Sequence, residues 1–357
     1  VLAGMLSGCA TTAGGNAAWR LVHESSSLQF GARIVPLGER DIWAFGTRKF
    51  REFTLGATAF HWDGEKWRKN DPPSEVGTSV AVAGASSPTN VWVVGGGDDP
   101  TRGVARWDGG AWVTMSRVPT RSVEDIEVLG EDDVWLFGSE TWHYTRGGWS
   151  RVEMPMSVYR AAAASADDIW VAGSHRHDQR RQLVGHYDGD TWRIVPLGDR
   201  LLPDASFHTT MVGVAADGPD VWITVNAVPG RPGPTTPILL RRTEGRWSSE
   251  AVTRVAGHWR ETADPVPDGR GGVWFLGTTD VNGYDSALAH RSAVGAWTLA
   301  PVSPSAGGAE FNTLTAIPGT SRLLATGHIE QTPGIFLHQV KDADHAGPTG
   351  PSAPSSP

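Results

Sequence analysis

One short phrase recurs through the chain and limits its fold more than any other feature. It is a hydrophobic strand core with Trp at its centre, entered by Asp or Asn and left through Gly: Asp41-Ile-Trp-Ala-Phe-Gly46, Asn90-Val-Trp-Val-Val-Gly95, Asp133-Val-Trp-Leu-Phe-Gly138 and Asp168-Ile-Trp-Val-Ala-Gly173. Looser copies are Asp220-Val-Trp-Ile-Thr-Val225 and Gly272-Val-Trp-Phe-Leu-Gly277, with a degraded one at Arg322-Leu-Leu-Ala-Thr-Gly327. The central positions 43, 92, 135, 170, 222, 274 and 324 give steps of 35 to 52 residues. A period of that length with several strands in each repeat means a propeller.

Each copy continues alike. A strand ends in an aromatic residue, a tight turn follows, and the next strand opens with Trp, as in His61-Trp-Asp-Gly-Glu-Lys-Trp67, Arg106-Trp-Asp-Gly-Gly-Ala-Trp112 and His186-Tyr-Asp-Gly-Asp-Thr-Trp192. Asp-Gly between apolar strands signals a hairpin, with both turn residues expected at positive φ. Weaker versions carry Arg146-Gly147, Glu244-Gly245 and Val294-Gly295. With a small, apolar inner strand before each phrase, a blade has four strands.

The opening Trp column is Trp67, Trp112, Trp149, Trp192, Trp247 and Trp297, one short of the seven second strands. The missing member stands at the other end of the chain. Trp19-Arg-Leu-Val22 has the form of Trp192-Arg-Ile-Val195. The sequence therefore predicts an all-β, seven-bladed propeller of four-stranded blades, the last closed by the N-terminal strand, which removes two open sheet edges. The expected organisation is a leader over 1–9, a tether over 10–17, the propeller over 18–340 and a Pro/Ser/Gly tail over 341–357.

The hydrophobic strand ending in Gly, then Tyr-Asp, then Trp about five residues on, resembles the kelch repeat and the galactose-oxidase-type propeller over residues 18–340, although only Gly95-Gly96 shows the paired glycine of kelch. The resemblance implies a propeller with a binding role. It carries no active site across, because that oxidase's copper centre uses a Tyr crosslinked to Cys and the propeller here has no Cys.

The only cysteine is Cys9, in Leu6-Ser7-Gly8-Cys9. This resembles the lipobox of bacterial lipoproteins, whose Cys is acylated and becomes the mature N-terminus. Residues 1–6 are too short for a full apolar signal core, so the leader reads as a clipped signal peptide or a misplaced start. The resemblance implies a protein of the cell envelope, lipid-anchored to the outer face of the membrane through the anchor alone, with secretion as the alternative. With 31 basic against 39 acidic residues and no basic block, the footprint of a nucleic-acid binder is missing. The expectation is a monomer with no cofactor or resident metal, binding a protein or carbohydrate.

Function is expected on the face bearing the second-to-third-strand and blade-to-blade connections, where loop length varies, as at 47 to 58 and 174 to 182. His61, His143, His186, His290 and His338 recur near one third-strand position and read as structural. His175, His177, His208, His258 and His328 fall outside the repeat, on the variable face. In Ser174-His175-Arg176-His177-Asp178, two His at i and i+2 of an extended segment point one way with Asp178 beside them, although a zinc site needs three or four ligands. Gly257-His258-Trp259-Arg260-Glu261 sets an aromatic among hydrogen-bonding groups, as sugar or peptide recognition uses. Asp204, His208, Glu310 and Asn312 lie on segments entering the axis near it. Asp125 and Glu127 share one face of an inner strand, spaced roughly as the carboxylates of an inverting glycosidase are. The expected role is a non-catalytic binding propeller. The alternative is a carbohydrate-active enzyme using carboxylates at the propeller mouth, and a metal-dependent lyase or oxidase using His175 or His177 is a third reading.

Overall fold

In a computed structural model of the chain, the described residues are 19–28, 32–50, 53–97, 99–197, 207–229, 236–252, 260–261, 263–278, 286–302 and 308–340. They form seven antiparallel sheets around one axis. Blade 1 runs Arg33–Gly38, Asp41–Phe50, Phe53–Trp62, Trp67–Lys69. Blade 2 runs Val80–Ser87, Asn90–Gly95, Val104–Trp107, Trp112–Thr114. Blade 3 runs Asp125–Gly130, Asp133–Phe137, Thr141–Thr145, Gly148–Val152, and blade 4 Met156–Ser165, Asp168–His175, Asp178–Tyr187, Trp192–Val195. Blade 5 runs Phe207–Asp217, Asp220–Pro229, Thr236–Thr243, Arg246–Ala251. Blade 6 has its inner strand in two pieces, Arg260–Glu261 and Val266–Pro267, ahead of Val273–Thr278, Ser286–Arg291 and Trp297–Pro301. Blade 7 joins Ala309–Ala316, Arg322–Ile329 and Thr332–Gln339 to the N-terminal strand Arg20–Glu24. That strand pairs antiparallel with Thr332–Gln339, and the Trp19 ring packs 4.9 Å from Phe311 and 5.0 Å from His338.

The repeated phrase sets both the blade and its joint to the next. Trp43, Trp92 and Trp222 are fully buried. Trp43 meets Trp107 and Trp112 of blade 2 at 5.3 and 5.4 Å, and Trp92 meets Tyr144 of blade 3 at 5.0 Å. Trp135 meets Tyr187 and Trp192 of blade 4 at 5.2 and 5.6 Å. Offset and edge-on ring pairs of this kind add about 0.5–1.5 kcal/mol each beyond the area they bury. The closing Gly is required by close approach. A Cβ on Gly46, Gly95, Gly138 or Gly173 would lie 2.1, 1.7, 2.3 or 1.9 Å from the carbonyl oxygen of Ser27, Val76, Ser122 or Ser157, on the chain entering the blade's inner strand.

The third-strand histidines complete the phrase. His61, His143 and His186 stack on Trp43, Trp135 and Trp170 at 4.1, 3.8 and 4.1 Å. Their Nε2–H groups donate to Asp41, Asp133 and Asp168 at 2.9, 2.8 and 2.8 Å. Blade 6 has Gly272 where the Asp stands elsewhere; there His290, stacked on Trp274, donates instead to Asp268 at 2.8 Å. Blades 2 and 5 place Arg106 and Arg241 opposite the Trp, and Arg241 lies 3.5 Å from Asp220. His338 departs from the set. It pairs with Leu323, one residue before the Trp slot, and stacks on Trp19.

The Asp-Gly turns differ from the expected two-residue type. Only the Gly takes positive φ, +89° at Gly64, +100° at Gly109 and +89° at Gly189. The Asp instead turns its carboxylate onto the turn's own amides: Asp63 accepts from Glu65 and Lys66, Asp108 from Gly110 and Ala111, Asp188 from Asp190 and Thr191. The two-residue form with both φ positive occurs at Arg146-Gly147 and Glu244-Gly245.

Candidate functional site

First-to-second-strand hairpins are two-residue turns in blades 1 to 5, at 39–40, 88–89, 131–132, 166–167 and 218–219, and five-residue connections in blades 6 and 7, at 268–272 and 317–321. The opposite face carries long hairpins. The segment 47 to 58, expected as a loop, continues the ladder to Phe50 paired with Phe53. The 174 to 182 segment likewise belongs to the hairpin of blade 4. His175 pairs with Asp178 across a turn at 176–177, so the two histidines are not on one extended segment. Their rings lie 5.9 Å apart, and the His177 amide donates to His175 Nδ1 at 3.3 Å. Among the described residues no group of three or more His, Cys, Asp or Glu is placed to hold a metal.

The other expected residues are scattered. Cys9, Asp204, His258 and Trp259 lie outside the described residues. His208 stands opposite Val228 at the entry of blade 5's inner strand, and Arg260 opposite Thr278 in blade 6. Glu310 pairs with His328 at the entry of blade 7. Asn312 is the bulged residue between Phe311 and Thr313 and lines the axial mouth. A bulge there re-aims a side chain without ending the strand.

Where chemistry concentrates is the mouth of the axial channel. It is a polar cavity of about 220 Å³, whose charged lining is Arg33, Glu124, Asp125, Arg160 and Asp264. The register explains the convergence. Arg33 pairs with Phe45, Asp125 with Phe137 and Arg160 with Ala172, each two residues beyond the phrase Trp. Blades 1, 3 and 4 therefore present a charged residue at one level. Blade 5 has Gly213 at that level, opposite Thr224. A Cβ there would lie 2.4 Å from Pro265 Cδ and 3.0 Å from Asp264 Cα, so glycine is what lets blade 6 close in. Pro265 lacks an amide and falls in the gap of the split inner strand, an edge where proline is tolerated. Asp264 then reaches Arg160, 3.2 Å from its Nε.

The carboxylates here are already engaged. Asp125 accepts from its neighbour Ile126 N at 2.9 Å and from Ala161 N of blade 4 at 2.8 Å. Glu127 accepts from the Ala163 amide and Asp264 from the Val214 amide. Each acid thus ties its inner strand to that of a neighbouring blade. Their acidity is nevertheless weakened. Burial, reinforced by the negative charge of Asp125 and Asp264, pushes Glu127 up to about 8. Burial and Asp125 push Asp264 up to about 6 against the pull of Arg160. Burial raises Asp125 as well, and lowers Arg33. Glu124, at the rim, accepts from Ser122 Oγ at 2.9 Å.

The expected pair Asp125 and Glu127 does share the channel side, with Ile126 and Val128 buried between blades. Sequence reasoning missed Arg33, Arg160 and Asp264. The available signal was a lone charge inside an otherwise apolar inner strand, as in Tyr159-Arg-Ala-Ala-Ala-Ala164, and an Asp-Pro step where blade 6 should have had one continuous strand.

No family model matches the chain, and no curated protein does. Solved propellers match its fold. One is described as YCF48 bound to D1 peptide, with TM-score 0.61 and 14% identity over 92% of this chain and 99% of that one. YCF48 from Cyanidioschyzon merolae matches with TM-score 0.57 and 13% identity over 90% and 98%. The GH74 enzyme of Niastella koreensis matches with TM-score 0.57 and 10% identity over 88% of this chain and 53% of that one. At these identities the likeness is one of fold, and it spans binding proteins and a glycoside hydrolase alike.

Proposed function

We propose that this protein is a non-catalytic propeller, lipid-anchored through Cys9 on the outer face of the cell envelope, that binds a protein or glycan partner with its long-hairpin face. The observation that carries the reading is the asymmetry of the two faces. Extended second-to-third-strand hairpins stand on one face in blades 1, 4, 5 and 7, while the first-to-second-strand turns of the other face are two residues long in blades 1 to 5. A rigid ring with elaboration on one side suits recognition. The kelch-like repeat points the same way, and a fold neighbour is described with a bound peptide.

The test is capture from envelope extracts and on a glycan array. Substitution of His175, His177 and Asp178 together should weaken a partner held by the wild type, whereas substitution of Asp132 and Asp167 on the short-turn face should not. Equal loss from both faces, or no partner at all, would refute the reading. For the anchor, Cys9→Ser should move the protein from membranes to the soluble envelope fraction; continued sedimentation with membranes would count against lipidation.

One observation favours the enzymatic alternative: Glu127 and Asp264, from blades 3 and 6, both hold protons more tightly than ordinary carboxyls, as a general acid must. Hydrolysis of a polysaccharide by the wild type, abolished in Glu127→Gln, would establish it. The engagement of these acids with strand amides supports the structural role instead.

A further inference from the structure

The axial mouth has two polar groups with capacity to spare. Arg33 is half-buried and lines the cavity. Among the described residues its guanidinium makes one hydrogen bond, from Nη1 to the Ala32 carbonyl at 3.2 Å, and has no carboxylate within the 4.0 Å of an ion pair. Guanidinium offers five N–H donors in a planar fork, so most of this fork is unspent, in a place where burying an unpaired charge is costly. Across the cavity, Asp264 Oδ1 is buried in its ion pair with Arg160 Nε at 3.2 Å, while the side chain as a whole is 47% exposed and lines the cavity. Arg33 feels the charges of Asp125, Arg160, Asp264 and Glu124. The open fork and the exposed side of the Asp264 carboxylate thus line one cavity without pairing with each other.

The charge balance narrows what fits between them. Three carboxylates line the mouth, Glu124, Asp125 and Asp264, with two guanidiniums, Arg33 and Arg160. A bare anion at Arg33 meets three like charges, and a bare cation at Asp264 meets two. A ligand carrying both signs a few ångströms apart satisfies both ends. The volume, about 220 Å³, is below the roughly 300–1,000 Å³ of drug-sized sites, so only a small molecule enters.

We propose that the axial mouth is a binding site for a small zwitterion, a free α-amino acid, whose carboxylate lies on the Arg33 fork and whose ammonium pairs with the exposed side of the Asp264 carboxylate. The site is distinct from the outer hairpin face and does not depend on a partner being held there.

The experiment uses the full chain and ligand-observed NMR with glycine, L-alanine and L-serine, at up to roughly 10 mM, where even a 1 mM site is filled. Acetate, methylammonium, N-acetylglycine and glycine methyl ester serve as analogues with one charge or none of the other. At least one amino acid should bind saturably, and the single-charge analogues about tenfold or more weaker. Arg33→Met and Asp264→Asn should each weaken the amino acid about tenfold or more, with Asp132→Ala on the exposed turn of the opposite face leaving it unchanged. Absence of saturable binding by all three amino acids overturns the proposal. So does N-acetylglycine or acetate binding as well as glycine, which would make the mouth a plain anion site. The analogue series uses the wild-type protein, so it decides between these outcomes even where a variant fails to fold.

Discussion

Buried carboxyls within one ring behave in opposite ways. In the blade bodies, Asp268 is also buried, which works against its charge, yet hydrogen bonds from His290 and from the Arg270 and Gly272 amides bring it down to about 2. At the axis, Glu127 and Asp264 accept single amides beside other acids and rise to about 8 and 6. Burial is common to both, and the number and charge of hydrogen-bond donors decides the sign. The difference shows how the fold divides its labour. The repeated Asp–His–Trp stacks are paired and closed, and hold the blades. The unrepeated axial residues are polar and incompletely paired, and leave room for a ligand.

The contrast breaks first if the body is not what holds the ring. Trp43→Ala removes a fully buried ring packed on His61, Trp107 and Trp112. It is expected to cost about 3–5 kcal/mol in denaturant melts, a large part of an ordinary domain's margin. A loss below about 1 kcal/mol would mean that the stacks do not carry the blades.

The axial acids sharpen it through pH. A carboxyl whose folded pKa is raised binds more protons folded than unfolded, so stability falls as pH rises between the two values. For Glu127 that window runs from 4.5 to about 8, and the loss across it is expected to be on the order of 2–4 kcal/mol, after allowance for water in the channel. Glu127→Gln should flatten the slope and leave the variant more stable than wild type near the top of that window. Identical melt-versus-pH curves would remove the distinction. Asp268 contributes with the opposite sign, its stabilisation present above 3.8 and lost as pH falls through about 2.

Next comes Gly213→Ala, whose Cβ would collide with Pro265 and the Asp264 backbone. It is expected to cost about 1–3 kcal/mol and to weaken any ligand held by Asp264. Smallest is His177→Ala on the exposed turn of blade 4, expected to change stability by no more than about 0.5 kcal/mol. Thermal melts check both.

The same division decides what the sequence could tell. Blade number, four-strand blades and closure by Trp19 were legible because each rests on a phrase seen six or seven times. The recurring His61, His143, His186 and His290 were legible as structural, although their place opposite the phrase Trp emerged only from the ladder registers. The axial site was half legible. Asp125 and Glu127 are two apart on one strand, and strand periodicity alone puts them on one side. Arg33, Arg160 and Asp264 come from three other blades, are far apart in the chain and belong to no motif. Only the common register, counted from each Trp, brings them together. The His175–His177 segment misled because a two-residue turn replaces the extended geometry that its spacing suggested.

Asp268 in a blade body and Glu127 and Asp264 at the axis, tuned in opposite directions, are the centre of this division. Site-resolved carboxyl ¹³C titration by NMR tests it most directly, with Glu127, Asp264 and Asp268 assigned through their Gln and Asn variants. Midpoints near 8 for Glu127 and 6 for Asp264, with Asp268 near 2, are the expected result. Midpoints for all three near the ordinary value of about 4 would contradict it and leave the axial mouth an ordinary solvated channel.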